Sequence, residues 1–524
     1  MRIRIQHRPI VFSPVILSRM VRILPAVVHL AASAAFVKNR FSLLDFPLDD
    51  AWIHRVYARS LAFGHGFAYN PGQQEAGSTS PLWSILTAPP HWLEGFGDFA
   101  PVLLVKAIGI LLGLACVLIF QGIVSRWTKS RAAGTVAATL FALEPRLLFS
   151  AFSGMETNLL LALLFGACLA WMQNKPWLLL LLVGLAPTAR PEAVLALPAP
   201  LAGGIAIGRS NRPLALKMAA GLLPVLPSLA WSGFCWHATG HLLPNTFYVK
   251  AQAHVPSWLD IQVGLRAIAM QGTVPGWLFV AGLCAFGVLC FQNRKRAAAP
   301  LSFFLVLPLL YVAGVVLSRS IFLSGYYWTR WIDPGALLLS AAGSAGFACL
   351  LVPSISGSAA YSPRSWAARL CRHGIPWALL AVFWIPAFSA SFAERRNRLA
   401  SDSRNIAILN VQMGKWIAQH TPPDAVIGVN DAGALRYFGQ RRTLDLVGLN
   451  NADIAFGKLT FDDAVSRCDW LAVFPSWFPA ELFKGYKLRF ETSVPAEEYT
   501  ICNAPQNWMV AAEKTTEGAV LPAK

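Results

Sequence analysis

The sequence predicts an α-helical polytopic membrane protein of about eleven spans, followed by a small extracytoplasmic α/β domain. Three observations carry this reading. The chain is 55% hydrophobic and only 13% charged, with a mean hydropathy of +0.50, whereas a soluble domain carries about 25% charged residues. Apolar stretches of about 18 residues or more recur along it, each long enough to cross a bilayer core. From about Phe392 the composition turns polar and mixed in charge.

The N-terminus is basic (Arg2, Arg4, Arg8, Arg19, Arg22) and leads into an apolar run ending near Val37. A signal peptide looks similar, but no small-residue cleavage site follows, so the run reads as an uncleaved first span. Residues 38–100 form a long outer loop, in which the apolar piece from Pro81 to Trp92 is too short to cross and reads as interfacial or re-entrant. Further spans are expected at about 101–125, 132–150, 157–173, 177–189, 193–208, 213–235, 274–292, 300–317, 333–352 and 375–392. Charge parity supports this threading. Arg126/Lys129/Arg131, Lys175, Arg209/Arg212, Arg294/Lys295/Arg296 and Arg364/Arg369/Arg372 fall in one set of loops, and acids in the other. That places the N-terminus in the cytoplasm and the C-terminal domain in the periplasm of a bacterial inner membrane. The net charge of +18 therefore reflects loop topology, and no nucleic-acid partner is expected.

In the tail, residues 403–420 read as a helix, and Ala425–Val429 and Leu471–Phe474 as buried strands. The division is 1–392 for the membrane domain and 393–524 for the α/β domain. The nine cysteines show no C-x-x-C spacing. Cys468 and Cys502, both in the tail, could pair in an oxidising compartment.

Function is sought in polar residues at the membrane surface. Residues 50–63 have helical apolar spacing (Trp52, Ile53, Val56, Leu61) with Arg55 and Arg59 opposite, the pattern of a helix lying along the interface. Asp49 and Asp50 stand at its start. One acid suffices to cap a helix; two adjacent ones after a span suggest a proton acceptor or cation site. Glu75 reads as a solvated loop acid, His54 and His65 as surface residues, and Gly64, Gly66 and Gly72 as turn formers. Further polar clusters, at the expected outer ends of spans, contain Glu156, Arg190, Asn245, Lys250 and Arg330. Snorkelling explains each cation alone; their shared face suggests a common anionic ligand.

The first loop, from Asp49-Asp50 through Arg55, Tyr57, Arg59, Gly64 and Gly66 to Asn70-Pro71-Gly72 and Thr79-Ser80-Pro81-Leu82-Trp83, resembles the GT-C membrane glycosyltransferases. The similarity is greatest to the mycobacterial terminal β-(1→2)-arabinofuranosyltransferase group. Gly154-Met155-Glu156-Thr157, Arg190-Pro191-Glu192, Pro244-Asn245-Thr246-Phe247-Tyr248, Asp431–Phe438 and Asp445–Leu449 resemble it too. One departure is Ala76 before Gly77, where similar sequences often carry the loop acid that is here Glu75. The resemblance implies a GT-C fold, a polyprenyl-phosphate sugar donor, and inverting transfer of a sugar such as arabinofuranose to a glycan or glycoprotein acceptor at the outer face. It implies Asp50 or Asp49 as base. Lys250, Arg330 and Arg190 would stabilise the departing phosphate, with Arg55, Arg59, Asn245, Glu156 and Tyr57 lining the site. No cofactor is required, although adjacent carboxylates could bind a divalent cation. The rival reading is a transporter or flippase for a lipid-linked saccharide; the absence of an internal repeat and the gathering of acids on one face weigh against it.

Overall fold

A computed structural model describes residues 14–196, 213–250, 276–318, 326–352, 385–501 and 506–515, together with Trp258, Gln262, Val382 and Trp384. Its membrane part is a helical bundle. Among the described residues, Phe99–Thr128, Arg296–Val316 and Asp333–Leu351 are long and apolar enough to cross a bilayer. Two bent pairs, Arg131–Ala142 with Pro145–Phe152 and Leu214–Leu222 with Leu226–Thr239, bring the number to five if each counts as one span. The bends, 56° and 58°, fall next to Pro145 in the first pair and Pro224 in the second, residues that cannot donate to the helical ladder. Thr157–Met172 and Pro176–Ala189 are shorter apolar helices. The expected span at 193–208 lies largely, and that at 375–392 partly, outside the described residues. Leu111, Leu118, Ile23 and Val27 on the bundle's outer faces are exposed, as lipid-facing side chains are.

The tail builds a five-stranded sheet in the order β4-β3-β5-β7-β6. β3 (Val426–Val429) runs parallel to β4 (Arg442–Asp445) and to β5 (Trp470–Val473). β7 (Trp508–Lys514) and β6 (Tyr486–Ser493) complete it antiparallel. β3 and β5 match the strands expected from their apolar runs. A helix Ile385–Ile406, continued through a π turn into Gln412–His420, enters the domain where a helix over 403–420 is expected.

The first loop is the joint between the two parts. Its helix, Asp49–Ala62, has no face open to water of the kind its amphipathic spacing suggests. Residues Ala51–Ala58 are all buried, because the rest of the first loop covers Arg55 and the C-terminal domain packs on Trp52. Trp52 packs on Phe46, Tyr437 and Phe438. After the helix, Gly64, Gly66 and Gly72 take positive φ, and a short hairpin of β1 (Ala68–Asn70) and β2 (Gln73–Gln74) meets the edge of β4. There Asn70 donates to Thr443 O at 2.9 Å and accepts from Thr443 N at 3.0 Å. Arg436 Nε donates to Tyr69 O at 2.9 Å, and the Tyr69 hydroxyl to Ala432 O at 2.7 Å.

Gly77 shows how tight this joint is. A Cβ there would run into the Asn450 side chain, the Tyr57 hydroxyl and Leu449 O. Gly77→Ala is therefore expected to destabilise the docked state by about 1–3 kcal/mol, the usual cost of overpacking. A lower melting temperature of the detergent-purified chain, with faster proteolysis of the tail, checks this.

Candidate active site

A cavity of about 590 Å³ opens between the two parts. The membrane side contributes Leu48, Asp49, Asp50, Ile53, Lys250 and Tyr327; the tail contributes Asn410, Asn430, Asp431, Phe474, Trp477 and Tyr499 among others.

Asp50 is the electrostatic centre of the membrane side. Arg330 Nη1 donates to its Oδ2 at 2.6 Å, and Lys250 Nζ lies 3.6 Å from its Oδ1. Burial alone would raise the Asp50 carboxyl, but the Arg330 guanidinium, and then the Lys250 ammonium, hold it well below the usual carboxylate range. Arg330 also stacks against the rings of Tyr327 and Trp331, at 4.7 and 5.1 Å, and its Nε is buried without a partner. Lys250 and Arg330 come from segments far apart in sequence, so their meeting on one acid is a product of the fold.

Asp49 is occupied differently. Its oxygens accept from Gly433 N at 2.7 Å and Ala434 N at 2.8 Å. It therefore caps a helix, as one first-loop acid was expected to, but the helix is Ala434–Gly439 of the other domain. Gly433 permits the approach: an added Cβ would collide with Asp49. Asp49→Ala would orphan two N–H groups and is expected to destabilise the chain by about 2–4 kcal/mol, read as a fall in melting temperature. Burial, and then repulsion from Asp431, push Asp49 up, while its two backbone donors oppose the shift. Burial likewise raises Asp431, to about 6.

The other candidate residues lie around this core. Glu156 accepts from Arg190 at 3.0 Å and stands 3.4 Å from His54 Nε2. His54, one turn after Asp50, is thus buried rather than a surface residue, and its ring faces Glu156. Arg190 also reaches Glu192, at 3.5 Å. Glu75 is 3% exposed, not solvated: it accepts from Asn245 Nδ2 at 2.7 Å and from Ala452 N at 3.4 Å. The departure at Ala76 thus leaves the acid bound inside the joint. Tyr57 donates to Asn450 Oδ1 at 2.9 Å and accepts from Gly77 N at 3.1 Å. Arg55 is fully buried over the Trp83 ring, with Nη1 3.4 Å from Thr87 O, and Arg59 pairs with Glu94 at 2.9 Å. These last three hold the loop; of the expected site residues, Asp49, Asp50 and Lys250 line the cavity, while Arg330, Arg190, Glu156 and Asn245 lie outside its lining. Cys468 is buried 3.2 Å from Ala464 O; Cys502 lies outside the described residues.

Asp431, Asn410 and Asn430 were not singled out from sequence. An acid and an amide directly after the run Val426–Val429, followed by Gly433 and a short helix, form a strand–turn–helix signal that could have marked them.

Residues 398–516 match the family model "Domain of unknown function (DUF8728)", which covers the tail and not the membrane part. No curated protein matches the sequence significantly. The fold is similar to that of ArnT from Cupriavidus metallidurans in the apo state (TM-score 0.59, 14% identity, covering 94% of this chain and 98% of that one). It is similar to the same protein bound to undecaprenyl phosphate (TM-score 0.58, 12% identity, covering 95% and 98%). It also resembles the archaeal oligosaccharyltransferase AglB from Archaeoglobus fulgidus in complex with an inhibitory peptide and a dolichol-phosphate (TM-score 0.56, 12% identity, covering 94% and 76%). The chain therefore shares its fold with ArnT and AglB.

Proposed function

We propose that this protein is a glycosyltransferase of a bacterial inner membrane that uses a polyprenyl-phosphate sugar. On this reading it moves the sugar, with inversion, to a cell-envelope glycan or glycoprotein on the periplasmic face. The carrying observation is that Lys250 and Arg330 converge on Asp50 at a cavity beside the helical bundle. Two cations held on one acid beside the cavity suit a departing polyprenyl monophosphate, whose charge grows in the transition state. The similarity to a fold that holds undecaprenyl phosphate in ArnT and a dolichol-phosphate in AglB supports a lipid-linked donor. Arabinofuranose is the sugar suggested by the first-loop resemblance.

In this mechanism Asp50 stays ionised throughout. It aligns the two cations before the donor arrives and faces the positive charge that develops on the sugar ring as the bond to phosphate stretches. The reaction needs no divalent cation, because a monophosphate is already flanked by Lys250 and Arg330. EDTA is expected to leave the rate unchanged; a rate restored only by added metal would contradict this. Incubating the purified chain with a panel of polyprenyl-phosphate pentoses and hexoses, and following release of polyprenyl phosphate, tests the function itself. Release with one donor is the expected result.

A further inference from the structure

The cavity has two walls of different chemistry. Asp50 and Lys250 make a charged wall on the membrane side, with Arg330 buried behind Asp50. The opposite wall belongs to the C-terminal domain and carries polar groups that the fold leaves unused. Asn430 Oδ1 accepts from Phe474 N at 3.1 Å, which fixes its amide orientation, and its Nδ2 is buried without a partner. Asn410 Nδ2 donates to Asp431 Oδ2 at 2.7 Å, and its Oδ1 is likewise buried and unpaired. Among the described residues, Asp431 Oδ1 accepts no hydrogen bond. An orphan donor, an orphan acceptor and an open carboxylate oxygen on one wall suit a ligand bearing hydroxyl groups.

The topology puts these residues where open α/β sheets bind ligands. β3 pairs with β4 on one side and β5 on the other, so the chain order reverses between β3 and β5. Asn430 and Asp431 follow the carboxyl end of β3, and Phe474 follows that of β5. Ligands of such sheets sit in the crevice outside those ends. Here that crevice opens onto the first-loop acids.

We propose that the C-terminal domain binds the acceptor sugar, and that Asp431, not a first-loop acid, takes the proton from its attacking hydroxyl. This assignment rests on the transferase reading above. Asp49 is set aside because both its oxygens are engaged in capping Gly433 and Ala434, and Asp50 because its two cations hold its carboxyl low. In the step, the acceptor O–H proton passes to Asp431 Oδ1 while the oxygen bonds to the anomeric carbon. The bond from that carbon to the phosphate oxygen breaks, and its electron pair leaves on polyprenyl phosphate beside Lys250 and Arg330. Asp431 then returns the proton to water.

The groups facing Asp431 are Asn410 from the entering helix, Asp49 and Asp50 from the first loop, Asp445 from the end of β4, and Lys250. Burial raises Asp431 to about 6, which is suited to accepting a proton near neutral pH. Transfer should therefore rise with pH through about 6 and then level off.

The test uses the full chain, with Asp431→Asn and Asp431→Glu. Asp431→Asn is expected to lower transfer about 10²–10⁴-fold, to remove the rise near pH 6, and to leave the affinity for undecaprenyl phosphate within about two-fold. Asp431→Glu should recover part of the rate with a displaced pH limb. A raised folded-state carboxyl costs stability above its titration range, so Asp431→Asn should also melt higher than wild type at pH 7.5. Transfer by Asp431→Asn above a tenth of the wild-type rate overturns the assignment alone, as does parallel loss of lipid-phosphate binding. A wild-type chain that transfers no sugar from any donor overturns the transferase reading and this assignment together.

Discussion

Arg330→Gln is expected to lower sugar transfer about 10²–10³-fold, the usual cost of removing a preorganised donor from a site of developing charge. Arg330 donates to Asp50 at 2.6 Å, and its Nε is buried without a partner. Loss of the guanidinium has a second effect, because Asp50 then faces only Lys250, at 3.6 Å. Breaking a buried pair from one side costs about 3–5 kcal/mol, and the lower end applies because the Asp50 side chain is 22% exposed. The double variant Asp50→Asn/Arg330→Gln separates the effects. It should recover most of the lost stability, since no unpaired carboxylate is left, while transfer stays low. If it recovers transfer as well, Arg330 serves only to neutralise Asp50.

Glu156→Ala is expected to be the most destabilising single change in the membrane domain. Glu156 and Arg190 are both nearly buried and lie 3.0 Å apart. Removing the acid takes away the nearer of the two carboxylates beside Arg190, the other being Glu192 at 3.5 Å, and deprives His54 of its partner. We expect a loss of about 3–5 kcal/mol, seen as a clear fall in melting temperature. Transfer should fall too, because His54 sits one turn from Asp50 on the same helix. The paired change Glu156→Leu/Arg190→Met should retain much more stability, as a well-packed apolar pair often replaces a buried ion pair at little cost. A melting temperature for Glu156→Ala within about a degree of wild type contradicts the account of this network.

Much of the architecture was legible because the signals are periodic or compositional. Apolar runs marked the helices at 99–128 and 333–351, and short apolar runs in the polar tail marked β3 and β5. The first-loop helix was legible as a helix, with its start at the two acids. Its surroundings were not. Amphipathic spacing says which face is apolar but not what covers the other face, so Arg55, fully buried over Trp83, read as solvent-facing. Glu75 and His54 were misplaced for the same reason: their partners, Asn245 and Glu156, lie far off in sequence. Lys250 and Arg330 could be grouped only by their expected common face, and nothing local says that both reach Asp50. Asp431 lay in a recognisable segment, yet its meaning depends on the order of strands in the sheet, which a single sequence does not display.

The central claim is that a glycosidic bond is made at the joint between the bundle and the tail, with polyprenyl phosphate leaving beside Lys250 and Arg330. The purified chain in liposomes, given an effective polyprenyl-phosphate sugar and a cell-envelope acceptor fraction, tests this most directly through the product's linkage. The account predicts stoichiometric release of polyprenyl phosphate and a new glycosidic bond of inverted anomeric configuration, both lost in Arg330→Gln. Movement of the intact donor across the bilayer, with no glycosidic bond formed, would contradict it and identify a transporter instead.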